Sequence, residues 1–292
     1  MGMTCIPVNF LSMMIEDEIM LQLLLILALI ALLCTRCRSG HPGLMDLQGW
    51  AYAHRGLHGN GIPENSMAAF RAALDKGYGI ELDVHLLADG NLAVIHDSLL
   101  NRTTGQAGHV EDLTTGDLKH CFLEGTQETI PEFMDVLTLF HGKAPLIVEL
   151  KPLDGNHALL AEAVCDMLKD YEGAYCLESF DPQCVAWLKK NRPNLIRGQL
   201  AENFFKTRIA LPDHLRFLMT HNLTHLLSTP DFVAYKFADR KCSPLTWVCR
   251  NLWHCQGVAW TLRTPEEYDT AVKEGWIPIF EGFEPGVKRL EG

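Results

Sequence analysis

Two acidic residues stand two positions apart in a run of strand-forming residues, Ile80-Glu81-Leu82-Asp83-Val84. Because side chains alternate along a strand, Glu81 and Asp83 point to the same face. Two carboxylates on one face of a buried strand repel each other and lose their hydration, so the pair is hard to keep without a cation. Two acids that face solvent on an edge strand are the alternative interpretation.

A third acidic residue has the same setting in a later strand-forming run. Glu149 lies within the apolar run at 146–150, and Lys151 follows on the same face. Two acids from one strand and one from another form a site of hard oxygen ligands, which Mg²⁺ and Ca²⁺ prefer. Taken alone, the Glu-x-Lys pair is also typical of a strand surface.

Further polar residues stand at or just after strand-forming runs. His54 and Arg55 follow one such run, and His96 and Asp97 follow another. Such positions are where a strand ends and a site begins, above all in barrels that carry their sites at the carboxyl ends of the strands. The sequence therefore predicts that these residues and the three acids lie at one face of a barrel.

Taken together, these segments resemble the glycerophosphodiester phosphodiesterase family, in the form of a bacterial-type, membrane-anchored member. The resemblance covers roughly Trp50 to Pro285, with most of its weight before Lys151. The matching segments are Ala53-His54-Arg55-Gly56, Pro63-Glu64-Asn65-Ser66, Ala69-Phe70, Glu81-Leu82-Asp83-Val84, Asp89-Gly90, His96-Asp97, Leu100, Arg102-Thr103-Thr104-Gly105, Ile130-Pro131 and Glu149-Leu150-Lys151.

The resemblance implies a metal-dependent hydrolase that cleaves glycerophosphodiesters to sn-glycerol 3-phosphate and an alcohol. It implies that His54 and His96 divide the proton transfers, one activating the attacking oxygen and the other protonating the leaving alkoxide. It also implies that a divalent metal, Mg²⁺ or Ca²⁺, is held by Glu81, Asp83 and Glu149. The implied phosphate- and substrate-binding residues are Arg55, Glu64, Lys151 and Trp260, the last of which is also compatible with a plain core role.

Two stretches depart from the family pattern. Trp260-Thr261-Leu262-Arg263 stands where members usually have Trp-Thr-Val-Asn, and the segment 280–285 stands where many have Thr-Asp-aromatic-Pro. Because these loops ring the pocket, the departures leave the substrate open. We expect neither of them to touch the metal or acid/base positions.

Other functions compete with hydrolysis of a soluble diester. A lysophospholipase D or other lipid phosphodiesterase is the alternative within the same chemistry. A non-catalytic, membrane-tethered binding domain is the alternative from another class, but degenerate relatives usually lose a ligand or an acid/base residue, and every one is present. A Ser-His-Asp site lacks support because the chain has no Gly-x-Ser-x-Gly, and Ser179 is interpreted as a strand-end contact.

Composition limits the size of the domain and the classes of partner that the protein can bind. The 292 residues, 48% of them hydrophobic, suffice for one large domain and an extension. A net charge of −11 without a basic run argues against nucleic acid as a partner. The resemblance implies a small-molecule phosphodiester as substrate, the apolar N-terminal run predicts a membrane as a partner, and no protein partner can be inferred. The ten cysteines are scattered, and Cys34-x-x-Cys37 has no second pair or histidine at zinc-finger spacing. Free thiols indicate a reducing compartment.

The elements that must position the site alternate between strand and helix. This alternation predicts a (β/α)8 TIM barrel, whereas an open Rossmann sheet lacks the Gly-rich phosphate fingerprint at a helix start. The other histidines, His225 among them, are expected in the core or on the surface. The predicted strands are Ala51–His54, Ile80–Val84, Ala93–His96, Leu146–Leu150, Ala174–Ser179, Ile196–Leu200, His225–Ser228, Gly257–Trp260 and Ile277–Phe280.

The N-terminal part contains an almost wholly apolar run from Ile19 to Cys34. We interpret it as an uncleaved, single-pass membrane anchor, because acids precede it where a signal peptide is basic, and because a core helix would keep a polar face. Arg36 and Arg38 after the run predict a cytoplasmic catalytic domain by the positive-inside rule. The predicted parts are a tail at 1–18, an anchor at 19–35, a linker at 36–49 and a barrel domain at 50–292.

Overall fold

The computed structural model describes residues 8–207 and 211–286. Its strands are β1 Tyr52–His54, β2 Gly79–Leu86, β3 Leu92–Val94, β4 Leu146–Leu150, β5 Tyr175–Ser179, β6 Arg197–Ala201, β7 Phe232–Lys236, β8 Gln256–Leu262 and β9 Trp276–Phe280. Its α-helices are α1 Val8–Cys34, α2 Leu44–Leu47, α3 Met67–Asp75, α4 Asn101–Thr104, α5 Thr115–Leu118, α6 Phe133–Phe140, α7 His157–Met167, α8 Pro182–Asn191, α9 Asp213–Thr220, α10 His225–Ser228, α11 Pro244–Asn251 and α12 Pro265–Lys273. Short 3₁₀ turns occur at Val110–Asp112 and Phe237–Asp239.

The parallel strands close into a barrel. Neighbours run in the order β1-β9-β8-β7-β6-β5-β4-β2, and β1 pairs with β2 to complete the ring. All of these pairings are parallel, and helices such as α3, α7 and α8 connect successive strands across the outside. The predicted (β/α)8 barrel is confirmed, so the carboxyl ends of all its strands meet at one face.

Strand β3 is not part of the ring. It pairs antiparallel with β2 through Val84 and Val94, forming a hairpin above the barrel. The hairpin begins an insertion with its own small apolar core, which includes Leu100, Val110 and Leu123. His96 was predicted at the end of a strand and follows β3 by two residues, so it reaches the site from this insertion rather than from a barrel strand.

One predicted strand is wrong. The segment His225–Ser228 is the helix α10, and the barrel strand at this point is Phe232–Lys236. A four-residue segment with only two apolar residues does not distinguish strand from helix, whereas the following Phe-Val-Ala-Tyr-Lys is rich in aromatic and β-branched residues. The predicted strand is thus displaced along the chain by several residues, and the number of barrel strands is unchanged.

Helix α2 closes the amino-terminal end of the barrel. Leu44 and Leu47 are buried among barrel side chains such as Ile147 and Phe232, and the hydroxyl of Tyr52 donates to the carbonyl of Leu47 at 2.8 Å. Burial of each leucine contributes about 1.5–3 kcal/mol. The segment 36–49, predicted to be a linker from its glycines and proline, therefore packs on the barrel, and the other domain boundaries stay predictions.

Helix α1 is long and apolar enough to cross a membrane. Its window Glu16–Cys34 has a mean hydropathy of 2.3 and is 0% buried against the rest of the protein. The chain after α1 docks at the amino ends of the barrel strands, where the Arg38 guanidinium binds Asp231, the residue before β7. The end of α1 and the carboxyl ends of the strands thus lie at opposite ends of the barrel.

Candidate active site

Strand register brings the predicted acids together. In the pairing of β1 with β2, His54 lies beside Glu81, and in the pairing of β2 with β4, Asp83 lies beside Glu149. All three acids are buried, and their carboxylate oxygens approach within 4.8 Å of one another. The alternative of solvent-facing acids on an edge strand is therefore wrong, since β2 is a central strand of the ring.

Lys151 supplies positive charge to this cluster. Its ammonium lies 3.0 Å from Asp83 Oδ1 and 2.8 Å from Glu149 Oε1. Lys151 is the residue directly after β4, and only 16% of its side chain is exposed. One ammonium does not balance three ionised carboxylates, so the cluster must take up protons or a further cation.

The surroundings raise the pKa of two of the three acids and lower the pKa of the third. Burial and the neighbouring charges of Asp83 and Glu149 raise the pKa of Glu81 well above its usual range. Burial raises the pKa of Glu149 to about 7, although Lys151 opposes the rise. Burial would also raise the pKa of Asp83, but the neighbouring positive charges, above all that of Lys151, and a hydrogen bond from Asn65 together outweigh it, and the pKa of Asp83 is well below its usual range. Buried carboxylates that hold protons so firmly fit a site whose natural ligand is a cation.

Arg55 is held over the acids by an unusual backbone conformation. Its φ is 54°, in the left-handed region that is costly for a side chain other than glycine, and Gly56 follows with φ 80°. A Cβ at position 56 would lie 2.8 Å from that of Ala69, so only glycine fits this turn. The backbone N–H of Arg55 donates to Glu81 at 3.2 Å, and its guanidinium binds Glu64 at 2.9 Å.

His54 forms a contact that the sequence did not predict. Its Nδ1 lies 2.6 Å from Glu281 Oε2, while its Nε2 faces Glu81 at 3.8 Å. Burial lowers the pKa of His54 to about 4, so the ring is neutral at pH 7, donates from Nδ1 and leaves Nε2 free to accept a proton. The expectation that the departure at 280–285 leaves the acid/base positions untouched is therefore wrong.

Glu281 is itself held in place by a second partner. The Arg263 guanidinium donates to the same carboxylate oxygen at 3.0 Å. Burial alone would raise the pKa of Glu281, but the hydrogen bond from His54 and the charge of Arg263 lower it to about 2. Both departures from the family pattern, at positions 263 and 281, thus form one ion pair at the rim beside His54.

His96 is oriented by a different network. Its Nδ1 lies 2.5 Å from Asp97, and the Arg102 guanidinium binds both Asp97 and Glu64. Burial lowers the pKa of His96, which keeps the ring neutral at pH 7. Because Glu64 also binds Arg55, the network joins the insertion to the turn after β1. Glu64 positions these arginines and does not line the pocket itself.

The pocket above the acids has a volume of about 320 Å³. Among the predicted residues, His54, Arg55, Glu81, His96, Glu149, Lys151 and Trp260 line it, and Asp83 lies beneath them. The indole of Trp260 donates to the carbonyl of Ala234 at 3.0 Å and packs edge-on against Phe180. Trp260 is therefore both a packed core aromatic and part of the pocket wall, so the two interpretations of this residue from the sequence are compatible.

Glu178 and Lys236 also line the pocket, and neither was identified from the sequence. Glu178 lies beside Glu149 in the pairing of β4 with β5, and burial raises its pKa well above the usual range. Lys236, at the end of β7, binds Glu202 at 2.9 Å on the side of Trp260. Both occupy strand-end positions, which is the signal that could have identified them. The end of β5 was predicted correctly, whereas Lys236 was missed because the predicted bounds of β7 were wrong.

A larger cavity of about 570 Å³ lies elsewhere, beside Trp50, Tyr268 and Phe283. Its lining, as far as the described residues form it, contains no histidine and no cluster of acids. Size alone therefore does not identify the active site, and the convergence of charged groups favours the smaller pocket.

Comparison with known families assigns the chain. A family model described as the glycerophosphoryl diester phosphodiesterase family matches residues 54–242, which include every predicted site residue except Trp260. The chain belongs to this family. The resemblance inferred from the motifs is thereby confirmed, and the pocket described above is the candidate active site of a glycerophosphoryl diester phosphodiesterase family member.

Relatives match over part of their length. A glycerophosphodiester phosphodiesterase of Bacillus altitudinis is 40% identical over 155 residues, covering 49% of this chain and 63% of the relative. One from Caldanaerobacter subterraneus is 37% identical over 158 residues, covering 51% and 65%. The lysophospholipase D GDPD1 of Rattus norvegicus is 32% identical over 133 residues, covering 41% of each chain. The chain thus spans less than two thirds of the length of each of these relatives.

Solved structures share the fold over nearly their whole length. A phosphodiesterase of Oleispira antarctica, in complex with the product sn-glycerol-3-phosphate, has a TM-score of 0.68 at 23% identity and covers 84% of this chain and 95% of that one. A putative glycerophosphoryl diester phosphodiesterase of Silicibacter pomeroyi has a TM-score of 0.68 at 21% identity and covers 85% and 96%. At these identities the likeness shows the barrel fold.

Proposed function

We propose that the chain is a metal-dependent phosphodiesterase that hydrolyses glycerophosphodiesters to sn-glycerol 3-phosphate and an alcohol. The observation that carries the proposal is one pocket in which three buried carboxylates, two cationic side chains and two neutral histidines converge. Each kind of group suits phosphodiester hydrolysis, because charge accumulates on the phosphoryl oxygens while one proton is removed and another is delivered.

Glu81, Asp83 and Glu149 would hold the divalent metal. Their oxygens lie within 4.8 Å of one another, and carboxylate oxygens are the ligands that Mg²⁺ and Ca²⁺ prefer. The metal would polarise a phosphoryl oxygen and offset the negative charge that develops in the reaction. Binding requires Glu81 and Glu149 to lose the protons that the metal-free cluster retains, so metal affinity should rise with pH.

Arg55 and Lys151 would bind the phosphate. Each already contacts the acids, Arg55 Nε at 3.5 Å from Asp83 and Lys151 Nζ at 3.0 Å. These ion pairs keep both cations at the pocket floor, so their side chains need little reorganisation when a phosphate arrives. Guanidinium and ammonium groups in a desolvated pocket stabilise the additional phosphoryl charge more strongly than they would in water.

His54 and His96 would transfer the protons. In each ring Nδ1 faces a carboxylate, Glu281 or Asp97, so Nε2 is the nitrogen left to exchange a proton with substrate. One histidine takes the proton from the attacking oxygen, and the other gives a proton to the alkoxide when the phosphorus–oxygen bond breaks. The lowered pKa of both histidines favours the neutral form at pH 7 in the free protein, which suits the histidine that takes the proton from the attacking oxygen. The histidine that protonates the alkoxide would take up a proton at Nε2 from solvent when the anionic phosphodiester binds beside it, since a neighbouring negative charge favours the imidazolium.

Soluble glycerophosphodiesters are the favoured substrates. The pocket opens at the carboxyl ends of the strands, whereas the end of α1 docks at the opposite end, so a membrane at α1 would face away from the pocket. Phe180, Trp260 and Lys236 form the wall that would face the alcohol part of the substrate. Lysophospholipid hydrolysis is the second candidate, favoured by the similarity to the lysophospholipase D of Rattus norvegicus.

Parallel assays on purified full-length chain in detergent distinguish these candidates. Glycerophosphocholine and lysophosphatidylcholine are each supplied with Mg²⁺ or Ca²⁺, and choline release is measured for both. We expect a higher kcat/KM on glycerophosphocholine, with sn-glycerol 3-phosphate as the second product. Release from the lysolipid alone would establish the second candidate, and release from neither would contradict the hydrolase proposal.

We further propose that α1 anchors the enzyme in the cell membrane with the barrel on the cytoplasmic side. Support comes from the exposed apolar window of α1 and from Arg36 and Arg38 directly after it. Helices α10 and α11, which contact α1, expose Leu226, Leu227 and Trp247 near its end. An exposed cysteine introduced by Lys119→Cys should react with an impermeant maleimide only after cells are permeabilised. Labelling of intact cells above the wild-type background would overturn this orientation.

A further inference from the structure

A second group of metal-ligating side chains lies at the amino-terminal end of the barrel, away from the active site. Cys37, His225 and Cys249 are all buried, and their ligating atoms lie within 4.8 Å of one another. Cys37 Sγ is 3.3 Å and Cys249 Sγ 3.7 Å from His225 Nδ1. We propose that these residues form a structural zinc site, independent of the catalytic metal.

The spacing of the atoms fits zinc. With Zn–S of about 2.3 Å and Zn–N of about 2.05 Å, tetrahedral ligands put sulfur and nitrogen about 3.6 Å apart. The two sulfur–nitrogen distances, 3.3 and 3.7 Å, lie on either side of this value. Thiolate and imidazole are softer ligands than the carboxylates of the active site, so this group selects Zn²⁺ where the other selects Mg²⁺ or Ca²⁺.

Cys255 would be the fourth ligand, although it lies outside the group of three whose ligating atoms are all within 4.8 Å of one another and would have to move toward them. Its thiol is buried and in hydrogen-bonding contact with that of Cys37, as is the thiol of Cys249. Its Sγ also points to the carbonyl of Asp231 at 3.6 Å, a weak contact that it can exchange for a metal bond. Three thiolates and one imidazole are a common ligand set of closed structural zinc sites.

The burial of His225 supports a ligand role. The ring is 0% exposed, and its Nε2 has no hydrogen-bond partner among the described residues. Around Nδ1 the ring contacts only weakly polar thiols, and a zinc–nitrogen bond there would offset the cost of burial far better than a thiol hydrogen bond.

The ligands come from separate parts of the chain, which explains why their spacing did not identify them. Cys37 follows α1, His225 begins α10, Cys249 lies in α11 and Cys255 directly precedes β8. Metal binding would therefore join the segment that leaves α1 to two helices and one strand of the barrel. The site would fix the catalytic domain on its N-terminal helix.

Cobalt substitution tests the site without relying on any variant. Full-length protein is purified in detergent under reducing conditions, its zinc content is measured, and Zn²⁺ is exchanged for Co²⁺. We expect one zinc per chain and, with Co²⁺, intense near-ultraviolet charge-transfer absorption from thiolate to cobalt. Cobalt bound by Glu81, Asp83 and Glu149 cannot give this absorption because all of their ligand atoms are oxygen. Protein without zinc and without the thiolate absorption would overturn the proposal.

Variants then identify the ligands. Cys37→Ser, Cys249→Ser and His225→Gln should each lose the bound zinc and show a lower thermal midpoint, while any that remain folded should retain phosphodiesterase turnover. Cys184→Ser is the matched control, because Cys184 is 0% exposed but lies against the carbonyl of His157. Charge-transfer absorption of undiminished intensity in the first two variants, or a Cys37–Cys249 disulfide in freshly alkylated protein, would contradict the assignment.

Discussion

Glu281 should control the rate of catalysis through His54. The perturbation is Glu281→Gln, which removes the carboxylate that accepts from His54 Nδ1 at 2.6 Å. When His54 takes up a proton, this carboxylate stabilises the imidazolium, and a hydrogen bond to a charged group contributes about 1.5–3 kcal/mol. Loss of that stabilisation in the transition state corresponds to a decrease in kcat of about 10- to 150-fold.

The assay is steady-state hydrolysis of glycerophosphocholine, with kcat and KM determined separately. We expect kcat to fall and KM to change little, because Glu281 contacts His54 and not the phosphate-binding side chains. Glu284→Gln is the matched control, since Glu284 lies on the same loop but is 51% exposed and pairs with Lys76. The double variant of His54→Ala with Glu281→Gln should be no slower than His54→Ala alone.

Stability gives an independent check with a defined sign. The pKa of Glu281 falls from 4.5 to about 2 in the folded protein, so its contribution to stability is present above pH 4.5 and is lost as pH falls toward 2. The difference in unfolding free energy between wild type and Glu281→Gln should follow the same course. Wild-type kcat in the variant, or losses from His54 and Glu281 that multiply, would refute the orienting role.

Three other predictions follow from the same geometry. Mg²⁺ or Ca²⁺ should raise the thermal midpoint of wild type but not of Asp83→Asn, because the ion relieves repulsion among the buried acids. Both midpoints are measured by scanning fluorimetry with the metal and with EDTA. The same midpoint for wild type in both conditions would contradict the metal assignment. Replacing His54 or His96 by alanine should lower the rate of hydrolysis roughly 10²–10⁴-fold. For the histidine that protonates the leaving group, the loss should be smaller on a p-nitrophenyl ester, whose leaving group needs no proton. If both variants lose the same factor on this ester as on glycerophosphocholine, the division of roles is refuted. Asp231→Asn should lower the free energy of unfolding in urea by about 2–3 kcal/mol, because the Arg38 guanidinium is left without a charged partner. The exposed control Asp213→Asn should change this free energy by less than about 0.5 kcal/mol. Similar values for the two variants would contradict the role of the Arg38–Asp231 ion pair.

The parts of the site that the sequence predicted depend on local periodicity. Glu81 and Asp83 share a face because a strand alternates its side chains, and Glu149 ends another strand of the same barrel. Once the barrel was inferred from the alternation of strands and helices, the meeting of these acids at one face followed from the parallel direction of the strands.

The parts that the sequence did not predict depend on contacts between distant segments. Glu281 reaches His54 only because β9 closes the ring against β1, which brings residues 227 positions apart into contact. Leu44 and Leu47 lie in a stretch whose glycines favour a loop, but burial in the open end of the barrel overrides that local preference. The Cys37 cluster is hidden for the same reason, since its ligands share no sequence spacing.

The central claim is that the three buried acids, with a divalent metal, hydrolyse glycerophosphodiesters. The most direct measurement is the release of sn-glycerol 3-phosphate from glycerophosphoethanolamine by wild type, Glu81→Gln and the exposed-site control Asp213→Asn, each with Mg²⁺ or Ca²⁺ and with EDTA. The account predicts turnover by wild type and control with metal, and a loss of orders of magnitude in EDTA or in Glu81→Gln. Full turnover by Glu81→Gln in EDTA, or no product from folded wild type with either metal, would contradict it.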